Sequence, residues 1–361
     1  MEFLLQPYVY TTGKSHTLLE LLEKMWLNKD LKQGTIYIIT GFANYNGGVR
    51  FYPFFTRFIQ DGGNVVAILS GSSSQKLSSR QVVEALLGCG ANVCVINRKR
   101  LLHAKCYGYE AADSEELIVS SGNFTGPGMT QNAEASLWID DDDIKSMAFS
   151  WNELTTDIYD QNWMSYHLSK DDLDDTSNPV WSLLYDEISG SIKLDESQQV
   201  TMLITLGHSD TARIQAAPRS EAAKGSQYFW LSKTAFDFFP ALTIPNTRGI
   251  KPTYSCDIEL EYVDLNIKCS QRVTYEAGNN LDFRLGTGPL RYTRIADEGD
   301  MAAITRLKER EYQLRIFKSG TPEFNSLSRY AITYTGNRGK RFGYIQNDDF
   351  LRILNLTRLS I

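Results

Sequence analysis
Apolar and polar positions change rhythm twice along the chain. From Thr17 to Lys29 apolar residues recur at helical spacing (Leu18, Leu21, Leu22, Met25), and the run TIYIIT at Thr35 to Thr40 then reads as a strand. A second cycle repeats the order. The apolar run NVVAILS (Asn64 to Ser70) precedes an apolar-faced helix from Ser79 to Leu87, a stop at Gly88 and Gly90, and the strand ANVCVIN. Two further strand-like runs, Leu101 to Tyr109 and Glu116 to Ser121, close this part. Helices alternating with buried-type strands predict an α/β sandwich with a largely covered sheet.

From about Ser169 to Gln199 the periodicity lapses and acids dominate, with Asp171, Asp172, Asp174 and Asp175 before Asn178-Pro179, and Asp195-Glu196 later. This predicts a linker over 171–196, with one short helix around Trp181. Beyond it come short strand candidates separated by Gly, Pro or Asn: VTMLITL, QYFWLS, CDIELEYVDL, RVTYEA, LDFRLG, YQLRIFK, RYAITYT and RFGYI. They predict a small barrel or sandwich, interrupted by one helical segment at Asp297 to Arg306. The expected domains are therefore 1–170 and 197–361, and 361 residues suffice for two cores.

Composition adds limits. Apolar residues make up 42% and charged residues 22%, an ordinary globular balance. No segment has the roughly 18 apolar residues of a membrane helix, nor does a basic run precede an apolar stretch at the N-terminus, so secretion and membrane spanning are not expected. Five cysteines, an odd number without a C-x-x-C pair, predict reduced core thiols in a cytoplasmic protein. The net charge of −6 hides an asymmetry: residues 1–200 carry −11, whereas residues 201–361 carry +5 and hold 15 arginines. The second part is thus suited to an anionic surface.

The chemistry concentrates in the first part. His103 and Lys105 lie two apart in a strand, so their side chains project to one face. Ser121-Gly122-Asn123-Phe124 follows, with a glycine for close backbone approach and an amide for donation, and Glu134 comes eleven residues after Asn123. A nucleophilic or basic imidazole, two groups for non-bridging oxygens and a carboxylate able to orient an imidazole form a phosphate-handling set with no obligatory metal. Other signals are weaker. Gly13-Lys14-Ser15 lacks the first glycine of a P-loop, where Tyr8 stands, and Asp140 to Asp143 reads as a solvated helix start. Phe229-Trp230 and Phe238-Phe239 read as core packing, and Gly336 to Arg341 as a basic hairpin turn or a phosphate contact.

The H-x-K, Gly-Asn and Glu set resembles the active-site pattern of the phospholipase D superfamily, particularly its nuclease branch, over about the first 165 residues, including TGFAN at Thr40 to Asn44. The family pattern is H-x-K-x4-D, and Glu110 stands where that Asp belongs. The resemblance implies that His103 is the nucleophile forming a phosphohistidine, that Lys105 and Asn123 bind phosphate, and that Glu134 orients His103. That family brings two such histidines to one site, whereas His16, His167 and His208 here lack the following x-Lys. The resemblance therefore implies a homodimer with its two-fold axis through the catalytic centre.

A nuclease half joined to an Arg-rich β domain resembles the BfiI and NgoAVII/NgoFVII class of restriction endonucleases, whose C-terminal domain is a B3-like pseudobarrel. This implies two arms reading the major groove of double-stranded DNA. The candidates are Arg213 to Tyr228 (with Arg219, Ser220, Lys224 and Gln227) and Arg272 to Arg284 (with Tyr275, Asn279, Asn280 and Asp282). It implies no cofactor in the nuclease site, with Mg²⁺ and ATP entering only through a separate NTPase/helicase-type subunit. Two other functions stay open: a catalytically silent sequence-specific DNA-binding regulator, and another phospholipase D-type phosphodiesterase.

Overall fold
A computed structural model describes all residues except 7–16, 32, 98–100, 161–163, 189–198, 233–234, 236–237, 247–251, 277–281, 336–338 and 357–361. The chain divides into two units, Met1–Ile188 and Ser189–Ile361. The Gly13-Lys14-Ser15 segment lies outside the described residues. Among the described residues no helix is long and apolar enough to cross a membrane.

The first unit runs β1 (Glu2–Gln6), α1 (Leu18–Leu22), β2 (Thr35–Thr40), α2 (Tyr45–Gly48), α3 (Tyr52–Gln60), β3 (Asn64–Ser70), α4 (Arg80–Cys89) and β4 (Asn92–Asn97). It continues with β5 (Lys105–Ala111), β6 (Ser114–Ser120), α5 (Gly126–Thr130), β7 (Glu134–Ile139), α6 (Asp141–Ser146), α7 (Trp151–Asp160) and β8 (Met164–Leu168). The eight strands form one mixed sheet in the order β1-β7-β6-β5-β2-β3-β4-β8. Only β2, β3 and β4 are mutually parallel, and those strands are the apolar runs expected of a sheet covered on both faces. On one face Trp151 stacks on Tyr37 at 4.6 Å. On the other, Trp26 packs edge-on against Phe51 and Phe55 and donates its indole N–H to the Gly108 carbonyl. A Cβ at Gly108 would sit 2.0 Å from the Trp151 ring, so only glycine admits both tryptophans to this strand. α4 starts where Ser79 caps the Val82 N–H and stops at Gly90, whose φ of 93° is left-handed. Asp140 caps α6 through the Asp143 N–H, in keeping with a helix start.

The acidic stretch is not a linker in its first part. Pro179–Leu183 forms a short 3-10 turn, and the backbone after it pairs with the first unit: Ser72 N–H to Leu183 O (2.9 Å), Arg80 N–H to Tyr185 O (2.8 Å) and Tyr185 N–H to Ser78 O (3.2 Å). Glu187 accepts from the Tyr45 N–H, and Gln81 donates to Asp186. The expected linker over 171–196 is therefore corrected up to residue 188, and its remainder lies outside the described residues. Composition misled because Asp171, Asp174, Asp175 and Asp186 face solvent while Val180, Leu183 and Glu187 are buried.

The second unit runs β9 (Val200–Thr205), α8 (His208–Gln215), β10 (Tyr228–Trp230), β11 (Ile244–Asn246), β12 (Thr253–Tyr262), β13 (Ile267–Glu276) and β14 (Asp282–Gly286). β15 (Met301–Arg306), β16 (Glu311–Phe317), α9 (Pro322–Leu327), β17 (Thr333–Tyr334), β18 (Arg341–Gln346) and α10 (Asn347–Ile353) complete it. Its sheet is ordered β10-β14-β13-β12-β16-β15-β9-β18-β17, with β11 paired to β12. It is a curled, mostly antiparallel half-barrel, and Phe229, Phe238 and Phe239 are core, as their clustering implied. The helix expected at Asp297 to Arg306 is corrected to a turn followed by β15. MAAITR is buried at every position between β9 and β16, so it shows no alternation to separate it from a buried helix.

Candidate active site and nucleic-acid interface
Strand direction collects the residues expected to handle phosphate. β2, β3 and β6 end, and β5 and β7 begin, at the same edge of the first sheet, with Lys105 opposite Thr40 and Ser120 opposite Ser136. Lys105, Thr40 and Glu134 then fall on one face by the two-residue period. His103 is exposed just before β5. The Lys105 ammonium is buried beside it, 3.0 and 3.1 Å from the two ring nitrogens and 2.9 Å from the His103 carbonyl. Burial pushes the Lys105 pKa below its ordinary value, and the Glu134 charge opposes that fall. Asn123 is oriented by the chain: its Oδ1 accepts the Phe42 N–H at 3.1 Å, which turns its NH₂ donors the other way. The Thr40 hydroxyl accepts the Phe124 N–H, locking the end of β2 to the same loop.

Glu134 departs from expectation. Its carboxylate accepts from the Ser121 hydroxyl and from Asn132 Nδ2 (3.2 Å), not from His103, so within one chain it faces the Lys105 ammonium as a charge and does not orient the imidazole. Gln6 and Gly41 also hold this edge. The Gln6 side chain, buried at the end of β1, accepts the Leu18 N–H and donates to Gly128 O in α5 and Asn132 O (3.3 Å) in the loop before Glu134. Gly41 lies under the histidine, where a Cβ would be 2.8 Å from Leu102 O and 3.3 Å from His103 Cα. TGFAN was the available signal for Gly41; a lone glutamine carries none. Glu110 is at the far end of β5, opposite Thr35, where it accepts from the Tyr37 hydroxyl at 2.8 Å.

In the second unit the first arm leaves β9 through α8 and returns at β10. Arg219, at φ 70°, and Lys224 are exposed on its turn, Lys224 paired with Glu221, and the Ser220 hydroxyl donates to Ala217 O. Arg213 braces the arm from within, donating to Lys224 O at 2.7 Å and lying over the Tyr228 ring, which Arg284 also overlies. Gln227 is corrected as a base reader: it is buried and its amide donates to Asp210 O and Thr287 Oγ1. Tyr275 is likewise core, 1% exposed and packed edge-on to Phe283. Arg272 is exposed in mid-strand, in a two-toothed pair with Asp257 across β12 and β13. Asn279, Asn280 and the Asp282 side chain lie outside the described residues.

Residues 194–357 match the family model described as the metal-independent restriction enzyme BfiI DNA binding domain. The match covers most of the second unit. No curated protein matches the chain. Among solved structures it is similar to Nuc from Salmonella typhimurium, a phospholipase D family member, at 15% identity and a TM-score of 0.34, covering 46% of this chain and 97% of that one. NucT from Helicobacter pylori is similar at 15% identity and 0.29, covering 44% and 91%. The N-terminal domain of Helicobacter pylori LlaJI.R1 follows at 12% identity and 0.25, covering 40% and 97%.

Within the second unit one buried ion pair anchors the first arm. Lys340 Nζ meets Asp210 Oδ2 at 2.6 Å and Trp230 O at 2.8 Å, while Asp210 also accepts the Gly207 and Trp230 N–H groups. Of the basic run Gly336 to Arg341, Lys340 is thus structural, and 336–338 lie outside the described residues. Among the described residues no group of three metal-ligating side chains occurs.

Proposed function
We propose that the chain is a site-specific DNA endonuclease of the phospholipase D type, in which the first unit cuts and the BfiI-type domain chooses the site. The observation that carries this is the convergence of His103, Lys105, Asn123 and Glu134 at one sheet edge in a chain that also holds a restriction-enzyme DNA-binding domain. A nitrogen of His103 attacks the scissile phosphorus, forming an N–P bond as the P–O bond to the leaving nucleoside breaks. The leaving oxygen takes a proton from His103 of the partner subunit, and water then hydrolyses the phosphohistidine. Lys105 and the NH₂ of Asn123 neutralise the non-bridging oxygens, where charge grows in the transition state. Two copies supply the two histidines, so dimerisation conditions activity.

In this reading Arg219, Ser220 and Lys224 meet double-stranded DNA from the first arm, and Asn279, Asn280 and Asp282 meet it from the second. Arg213, Arg272 and Arg284 contribute positive field beside them. The nuclease site takes no cofactor, in keeping with the family's description as metal-independent, and Mg²⁺ and ATP enter only with an NTPase/helicase subunit. The enzyme works in the cytoplasm. The test is plasmid cleavage by wild type and His103→Ala in EDTA, then with Mg²⁺, ATP and host extract. Discrete fragments from wild type alone support the proposal. Equal behaviour of both proteins, with sequence-specific DNA binding intact, makes the chain a silent regulator.

A further inference from the structure
The segment from Thr287 to Ala296 directly follows β14 and belongs to neither arm, yet it is built against the first. The Tyr292 N–H donates to Arg213 O (3.1 Å) and the Arg294 N–H to Ile214 O (3.0 Å), and Gln215 Nε2 donates to Ala296 O (2.7 Å). The first two bonds cap C-terminal carbonyls of α8, and the third ties the helix's last side chain to the end of the loop. Arg291 donates to Ala223 O at the arm's turn and lies over the Tyr292 ring. Among the described residues six non-glycines have positive φ, and three of them, Arg219, Tyr292 and Arg294, are in this arm and loop. Left-handed backbone favours glycine, so bulky residues held there point to a use for their side chains. Capping needs only the two N–H groups, and Arg291 braces the arm's turn, which leaves the exposed cation at 294 unexplained.

The local acids are turned to other partners. Asp297 pairs with Lys318, Glu298 faces His208, and Glu221 pairs with Lys224. Exposed Arg294 therefore extends the positive surface of Arg213, Arg219 and Arg284 beyond the arm.

We infer that this loop is a third DNA-contacting element, in which Arg294 takes a phosphate of the duplex backbone and fixes the register of the first arm. The inference rests on the DNA-binding reading. The test uses the full chain in a His103→Ala background and a random-sequence duplex pool, with binding followed by anisotropy between about 50 and 200 mM salt. Arg294→Gln is expected to weaken binding several-fold and lower the slope of log K against log salt by about one, with Arg294→Lys restoring the slope. Arg352→Gln, on α10 at the opposite end of β9 from the first arm, is expected to match its parent. An unchanged slope in Arg294→Gln over a steep parental slope overturns the third contact alone, as does an equal loss in Arg352→Gln. A parent that binds no duplex overturns the DNA reading itself.

Discussion

Replacing Lys340 by Met should destabilise the DNA-binding unit more than any surface charge change. Lys340 and Asp210 are 6% and 0% exposed and 2.6 Å apart, so removal of the ammonium leaves a buried carboxylate with only the Gly207 and Trp230 N–H groups. Breaking a buried pair from one side costs about 3–5 kcal/mol, because the remaining charge keeps its desolvation penalty. At roughly 2–4 °C per kcal/mol for a unit of this size, the melting point should fall by about 6–20 °C. Asp210→Leu should cost more, since it strands the Lys340 ammonium and also orphans two backbone donors at about 1–3 kcal/mol each. Calorimetry of the full chain, following the transition of the second unit, gives both values. A shift under about 2 °C in either variant, at most about 1 kcal/mol, would refute the reasoning. Because Asp210 sits in the first turn of α8, the same variants should lose DNA affinity before they unfold.

Three further outcomes concern the cutting edge. Gly41→Val should lower cleavage about 10- to 100-fold with little change in DNA affinity, since its side chain displaces Leu102 O and His103 from below; unchanged kcat would show that the backbone gives way freely. Cleavage should decline on the alkaline side at a pH below 10.5, as the buried Lys105 ammonium titrates, and Lys105→Arg should remove that limb. The unfolded chain holds this proton more tightly over the same interval, so the residue's contribution to stability rises with pH as activity falls; parallel decline of both would contradict this. Glu110→Gln should leave cleavage intact, because five residues of strand, about 17 Å, separate it from Lys105; a loss of activity without a loss of stability would return that carboxylate to the chemistry.

Periodicity and local chemistry determined much of this protein from the chain alone. The runs TIYIIT and NVVAILS read as covered strands because they are short, rich in β-branched residues and bounded by turns, and burial on both faces needs continuous apolar residues. The H-x-K spacing kept His103 within reach of Lys105, although the strand expected to hold both begins only at Lys105 and His103 lies in the irregular segment before it. The arginine excess after residue 200 announced an anionic partner before any fold was known. Tertiary structure decided what depends on residues far apart. Glu134 is claimed by Ser121 and Asn132 and not by His103, Gln6 reaches across more than a hundred residues to hold the loop before it, and acidic residues 171–188 dock on the first unit through backbone bonds that composition cannot encode. Gln227 and Tyr275 are polar enough to read as recognition residues, but burial depends on which strands cover them. A side chain's type and immediate spacing are written in the sequence; which neighbour it meets from elsewhere in the chain is set only when the sheet closes.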